Sequence, residues 1–188
     1  VGEYLRQGHF SPKDINDDFS QKVYNRYFED LDQDKDLFLQ QDLTSLNQFS
    51  NKIDDEIKGA PVQFFFEVGK VFNKRVEEVS TIYKDILSKP FDFTVNESVT
   101  TDPKKINFPS SEAERKEIWR KRLKYLTLQR YTDLLDARES NKGKEGFTVK
   151  TDKELEQEAG EKVKASMDRT FEPYRKKFDD DEKFSVFV

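Results

Sequence analysis

Between Val62 and Leu87 the apolar residues Phe65, Val68, Phe72, Val76, Val79, Ile82, Tyr83 and Ile86 return every three or four positions. Only a helix keeps such a set on one face. If continuous, it is roughly 40 Å long at about 1.5 Å per residue, which commits the rest of the chain to packing around a long rod. Phe64-Phe65-Phe66 point in three directions on that rod, so more than one of its faces is expected to be covered. Pro61 suits its first turn and Pro90 stops it. Gly and Pro number only 7 and 6 among 188 residues, too few for many short strands joined by turns.

The same period predicts further helices. From Asp14 to Leu31, Ile15, Phe19, Val23 and Tyr27 recur every four, with Ser11 as cap and Pro12 at the first position. A second helix is expected over about Asp42 to Lys58, with Leu43, Leu46, Ile53 and Ile57 inside and Gly59 ending it in the left-handed region. Ser111 to Glu114 and Thr151 to Glu154 both read S/T-x-x-E, a reciprocal helix-start pattern. The first opens a helix to about Arg138, with Ile118, Trp119, Tyr125, Leu126 and Leu134 buried. The second opens a helix using Leu155, Val163 and Met167, kinked at Pro173. Phe91 to Ser110 lacks a period and reads as an extended connection pinned by Phe91, Phe93, Ile106 and Phe108; Glu139 to Lys150 reads as a flexible linker. The fold class is all-α: an elongated bundle of about five mostly antiparallel helices with a long extended connection. It is one helical domain over 1–188, with two lobes, 1–100 and 101–188, as an alternative division.

Composition narrows the function. Charged residues reach 38% and hydrophobic ones 34%, but 17 Phe and 7 Tyr supply enough burial per residue to argue against disorder. A net charge of −5 disfavours non-specific nucleic-acid or anionic-lipid binding, and no apolar run approaches the ~20 residues of a membrane span. The absence of Cys excludes disulfides and thiolate chemistry. The chain begins at Val1 and stops in the apolar "FSVFV", so a fragment of a longer protein is expected.

The row Asp30, Asp32, Asp34, Asp36 invites a calcium-loop reading. That template wants Gly at position 6 and Glu at 12. Counting from Asp30 gives Lys35 and Gln41; counting from Asp32 gives Leu37 and Leu43. Both registers fail, so the row is expected to be a polar turn between helices, with Asp42 capping the next one and no metal bound. His9 is the only histidine, and it sits in a loop with no Cys to share a metal. Ser80 with Lys84, and Lys162 with Ser166, have nucleophile–base spacing, which this much Ser and Lys produces by chance. Phosphate-cradling and nucleophile-elbow motifs are missing; Asn96-Glu97-Ser98 matches a glycosylation sequon. No catalytic residue and no cofactor are therefore assigned. Glu114 to Tyr131 is more suggestive: Arg115, Lys116, Arg120, Lys121, Arg122, Lys124 and Arg130 interleave with aromatics. Nucleic-acid contact, membrane-surface binding, partner docking and a solvated basic face paired to acidic runs all fit it; the last two are preferred.

The order of segments carries a resemblance. "FSPKDINDDFSQKVYNRYFEDLDQDKDLFLQQDL", then the long aromatic helix, "ILSKPFDFT" and "FPSSEAERKEIWRKRLKYLTLQ", resembles the N-terminal helical domain of tail-specific (carboxy-terminal processing) proteases. Tyr27, Phe28, Leu31, Asp32, Leu37 or Phe38, and Asp42 match the segment closing the first long helix. Lys89 to Thr94 match its KP-x-DFT step, and Glu114 with Trp119 its E-x-x-x-x-W helix. The resemblance implies a bacterial, periplasmic serine protease with a Ser–Lys dyad and a PDZ domain, both outside these residues. Its expected partners are the rest of the protease, unfolded protein substrates and an adaptor protein, with no nucleic acid and no membrane span. A non-catalytic arm of this kind would act in substrate access or adaptor docking, through Phe64, Phe65, Phe72, Trp119, Arg120, Arg122 and Lys124. The alternative is a stand-alone protein- or nucleic-acid-binding module using the basic 115–130 helix.

Overall fold

A computed structural model describes residues 14–175. Among them are six α-helices and no strand: α1 (Asp17–Leu31), α2 (Gln40–Leu46), α3 (Ile53–Ile57), α4 (Phe64–Leu87), α5 (Glu112–Asn141) and α6 (Asp152–Arg175). The Ser11 cap, His9 and the acidic run before Val188 lie outside the described residues. Helix α1 begins later than its period suggests because the Asn16 side chain accepts from the Phe19 amide at 3.1 Å.

The single helix expected over Asp42 to Lys58 is two, joined by a 3₁₀ turn over Asn47–Phe49. Its end is as read: Gly59 has φ +118°. The Ala60 amide returns to the Asp55 carbonyl at 2.9 Å and the Gly59 amide to Glu56 at 3.2 Å, which closes the helix in a left-handed cap. Pro61 does not open α4. Instead a Glu56 carboxylate oxygen accepts from the amides of Gln63 and Phe64, both at 3.0 Å, and the helix starts there.

Helix α4 is the axis. Phe65, Val68, Phe72, Val76, Val79, Tyr83 and Ile86 are buried as its spacing requires, and Ile82 half so. Phe64 is fully buried, with ring centroids of Tyr24 and Tyr27 at 5.5 and 5.6 Å. On the far side, α6 docks through Phe171, which meets Tyr83 at 5.4 Å and Trp119 at 5.8 Å. Tyr83 also donates to Asp168 at 2.7 Å. Residues from Tyr24 to Phe171 thus belong to one core that runs across position 100. Two hydroxyls close the N-terminal helices onto this core. Ser20 donates to Asp54 at 2.7 Å and accepts from its amide at 2.8 Å, and Tyr24 donates to the Leu43 carbonyl at 2.7 Å.

Both S/T-x-x-E starts form. Glu114 accepts from Ser110 while its amide reaches Ser111, and Thr151 and Glu154 bond each other reciprocally. The 88–111 connection has one 3₁₀ turn, at Pro103–Lys105, and a tight turn at 93–94 in which Thr94 donates to Asp92. It is laced to the body by the Gln40 amide on the Pro109 carbonyl at 2.9 Å and by Lys35 on Ile106 at 2.7 Å.

The acidic turn and the basic helix form one buried network

The opening aspartates of the turn are occupied by protein groups. Asp32 is buried, and its carboxylate accepts from three backbone amides: Asp36 at 3.0 Å, Leu37 at 2.9 Å and Phe38 at 2.9 Å. These bonds curl the chain back on itself, which Lys35 allows by adopting φ +51°. Asp34 and Asp36 both accept from the Arg122 guanidinium of α5. Burial pushes the Asp32 carboxyl above its usual range, against the three amides that hold it down. Burial and the neighbouring Asp32 charge push Asp36 up to about 7, with Arg122 pulling the other way. Among the described residues no cluster of His, Cys, Asp and Glu is arranged to hold a metal ion.

The same face of α5 continues the network. Trp119 donates its indole N–H to the Asp36 carbonyl at 2.8 Å, and Arg122 lies with its guanidinium 5.7 Å from the Trp119 ring. Arg115, 1% exposed, donates to the Leu37 carbonyl at 2.7 Å and to Glu78 of α4. Glu78 is shared with Arg75, which also grips Asp42 of α2 through two bonds of 2.8 Å. Burial would raise Glu78, but Arg115 and Arg75 hold it below the usual carboxylate range. Asp42 accepts from the Leu39 amide at 2.8 Å as well, but from inside the helix. Helix α2 starts at Gln40 with Leu39 as its N-cap, so Asp42 braces the first turn from its third position rather than capping it. Ionic and backbone bonds therefore link the turn, α5, α4 and α2. The network is buried at Arg115, Arg75 and Asp42 and opens to solvent at Asp34 and Arg122; among the described residues the Arg115 Nε is buried without a hydrogen bond.

This placement corrects much of the expected contact set. Phe64, Phe65, Phe72 and Trp119 are core residues with no surface to offer a partner, because the rod they line is covered by α1 and α6. Lys124 is buried and donates to the Val95 carbonyl at 2.9 Å and to Glu97. Arg120, half-buried, joins it on Glu97, whose carboxyl is pulled down to about 2 by Arg120 and then Lys124. Arg122 is 35% exposed and committed to Asp34 and Asp36. The basic face thus pairs with the protein's own acids, and no observation favours its use for nucleic acid. Tyr125, expected inside, is exposed. Ser80 is buried without a hydrogen-bond partner, so it is not bonded to Lys84, and Lys162 pairs with Glu158 at 2.7 Å.

Sequence reasoning treated Arg115 and Arg122 as surface cations. Their signal was their position: with Trp119 they occupy 115, 119 and 122, one helix face. A cation in register with a buried tryptophan is a candidate for internal pairing. Phe66, Val95 and Leu128, exposed and apolar, were missed as well.

The fold and this network define an all-α helical domain whose buried acids and cations are paired with one another. The chain belongs to the tail-specific protease N-terminal domain family, whose profile matches residues 1–188. A curated relative is the tail-specific protease of Haemophilus influenzae, 31% identical over 121 residues. That alignment covers 64% of this chain and 17% of the relative, so the chain corresponds to a small part of that protein. Among the described residues no helix is long and apolar enough to cross a membrane.

Proposed function

We propose that this domain is the non-catalytic helical arm of a periplasmic tail-specific serine protease, governing how unfolded substrates or an adaptor protein reach an active site elsewhere in the parent. The Ser–Lys dyad and PDZ domain belong, on this reading, to the remainder of that protein. The observation that carries it is the turn–α5–α4–α2 network. It makes the arm a stiff body able to hold a position beside a catalytic domain, and it leaves the ionic groups of the turn and the basic helix committed to structure rather than chemistry.

The test uses the full-length protease with and without residues 1–188. Cleavage of a short unstructured peptide should stay within about threefold, while the rate or product pattern of a protein substrate should change about tenfold or more. Equal effects on both substrates, or none on either, would refute an access role. The purified chain alone should hydrolyse no peptide.

A further inference from the structure

Residues 96–102 contain neither helix nor turn. Glu97 and Val99 are half-buried, whereas Asn96, Ser98 and Thr100 are exposed, the period of two that marks an extended chain lying on a surface. Its ion pairs fasten it there: Glu97 to Arg120 and Lys124 of α5. Yet among the described residues no amide of 95–101 donates to another protein group. A segment held in this shape, with its amides open to water or to an incoming chain, can serve as one side of a β-ladder.

Alongside it lies a groove of about 680 Å³ between residues 93–101 and α5. Its lining is mixed: Thr94, Asn96, Ser98, Thr101 and Lys121 share it with an apolar stripe. Val95 is 51% exposed, Tyr125 40% and Leu128 39%, and beyond them Phe93 stacks on Tyr131 at 6.1 Å and 11°. Tyr125 and Leu128 are three positions apart on one face of α5, so the stripe runs along the helix beside the open edge. An apolar stripe alone would suit many occupants. Unmet backbone groups in an extended run select one, because only another extended chain presents amides and carbonyls at the same spacing while placing alternate side chains in the groove.

We propose that residues 95–101 and the adjoining Tyr125–Leu128 stripe are a docking site for an extended, apolar polypeptide strand. It deepens the substrate-access reading and rests on it: the strand would be part of an unfolded substrate.

The probe is a fluorescent peptide of about eight residues alternating Val and Ser, with two twins N-methylated at odd or even positions. Titrated onto the chain, and onto the full-length protease, the parent peptide should bind both. One twin should lose at least about tenfold and the other bind normally, because each blocks one edge. Leu128→Asp and Val95→Asp, both at exposed sites, should weaken binding at least about tenfold, and Val62→Asp, at an exposed site ahead of α4 and outside the groove, should not. Failure to bind, equal binding by both twins, or indifference to Leu128→Asp would overturn the proposal. So would binding to the chain but not to the full-length protease, or a dimer of the chain that Leu128→Asp dissolves. If the peptide fails here while removal of the domain still alters protein cleavage, the docking site falls and the access role stands.

Discussion

Removing the Asp32 carboxylate should unfold the acidic turn and much of the stability with it. Three backbone amides end on that group at 2.9 to 3.0 Å, and Asp36, Leu37 and Phe38, which carry them, are all buried. Hydrogen bonds to a charged acceptor contribute about 1.5–3 kcal/mol each, a gross loss of roughly 4.5–9 kcal/mol in Asp32→Ala. Burying the carboxylate itself costs several kcal/mol, which the variant no longer incurs; the raised Asp32 pKa records that cost. The net destabilisation should be about 2–4 kcal/mol, a large share of the ~5–15 kcal/mol of an ordinary domain. Asp32→Asn should lose about half as much, since its amide keeps one acceptor oxygen but turns an N–H toward a backbone donor. Urea unfolding followed by Trp119 fluorescence reads both, and Trp119 is the only tryptophan and sits on this turn. A loss below about 0.5 kcal/mol for Asp32→Ala would refute the reasoning. So would a rise in the wild-type midpoint on adding calcium, since a cation would then be competing for the same oxygens.

Three further outcomes follow from the packing and charges. Phe64→Ala, which empties the fully buried site between Tyr24, Tyr27 and Phe28, should cost about 3–5 kcal/mol in the same assay. Asp36 titrates near 7 when folded, above its ordinary 3.8. Between those values the folded chain therefore holds the extra proton, and this group's contribution to stability is lost as pH rises toward 7 and beyond. Denaturation at pH 5 and 8 should show wild type losing ground relative to Asp36→Asn on the alkaline side, and a pH-independent difference would refute it. Glu97→Gln should free the 91–101 segment without melting the core, seen as faster amide exchange there and an unchanged α4, because Arg120 and Lys124 hold the segment through that carboxylate.

Local patterns were legible wherever a residue's neighbours in sequence decide its role. The α4 stripe, the Gly59 cap and the Ser111 and Thr151 starts depend on spacing within one element, and the structure keeps them. What sequence could not supply was the partner across the fold. Glu56 displaces Pro61 as the start signal for α4 because its carboxylate happens to reach two amides seven and eight residues on. Arg115 and Lys124 are inside, and Tyr125 outside, because α5 turns its cations toward Glu78 and Glu97. Hydropathy ranks these residues the other way round; only a pairing residue placed decades of positions away reverses the order. The acidic row is legible as a polar turn between helices, but what holds it, three backbone amides on Asp32 and the Arg122 guanidinium on Asp34 and Asp36, belongs to the fold.

The acids and cations of the turn, α4 and α5 that resemble a site are spent on each other. A double-mutant cycle on Arg115 and Glu78, read by urea unfolding, measures that directly. A coupling of about 1–3 kcal/mol between them is expected; additive losses, with coupling near zero, would show that the pair is not spent on itself.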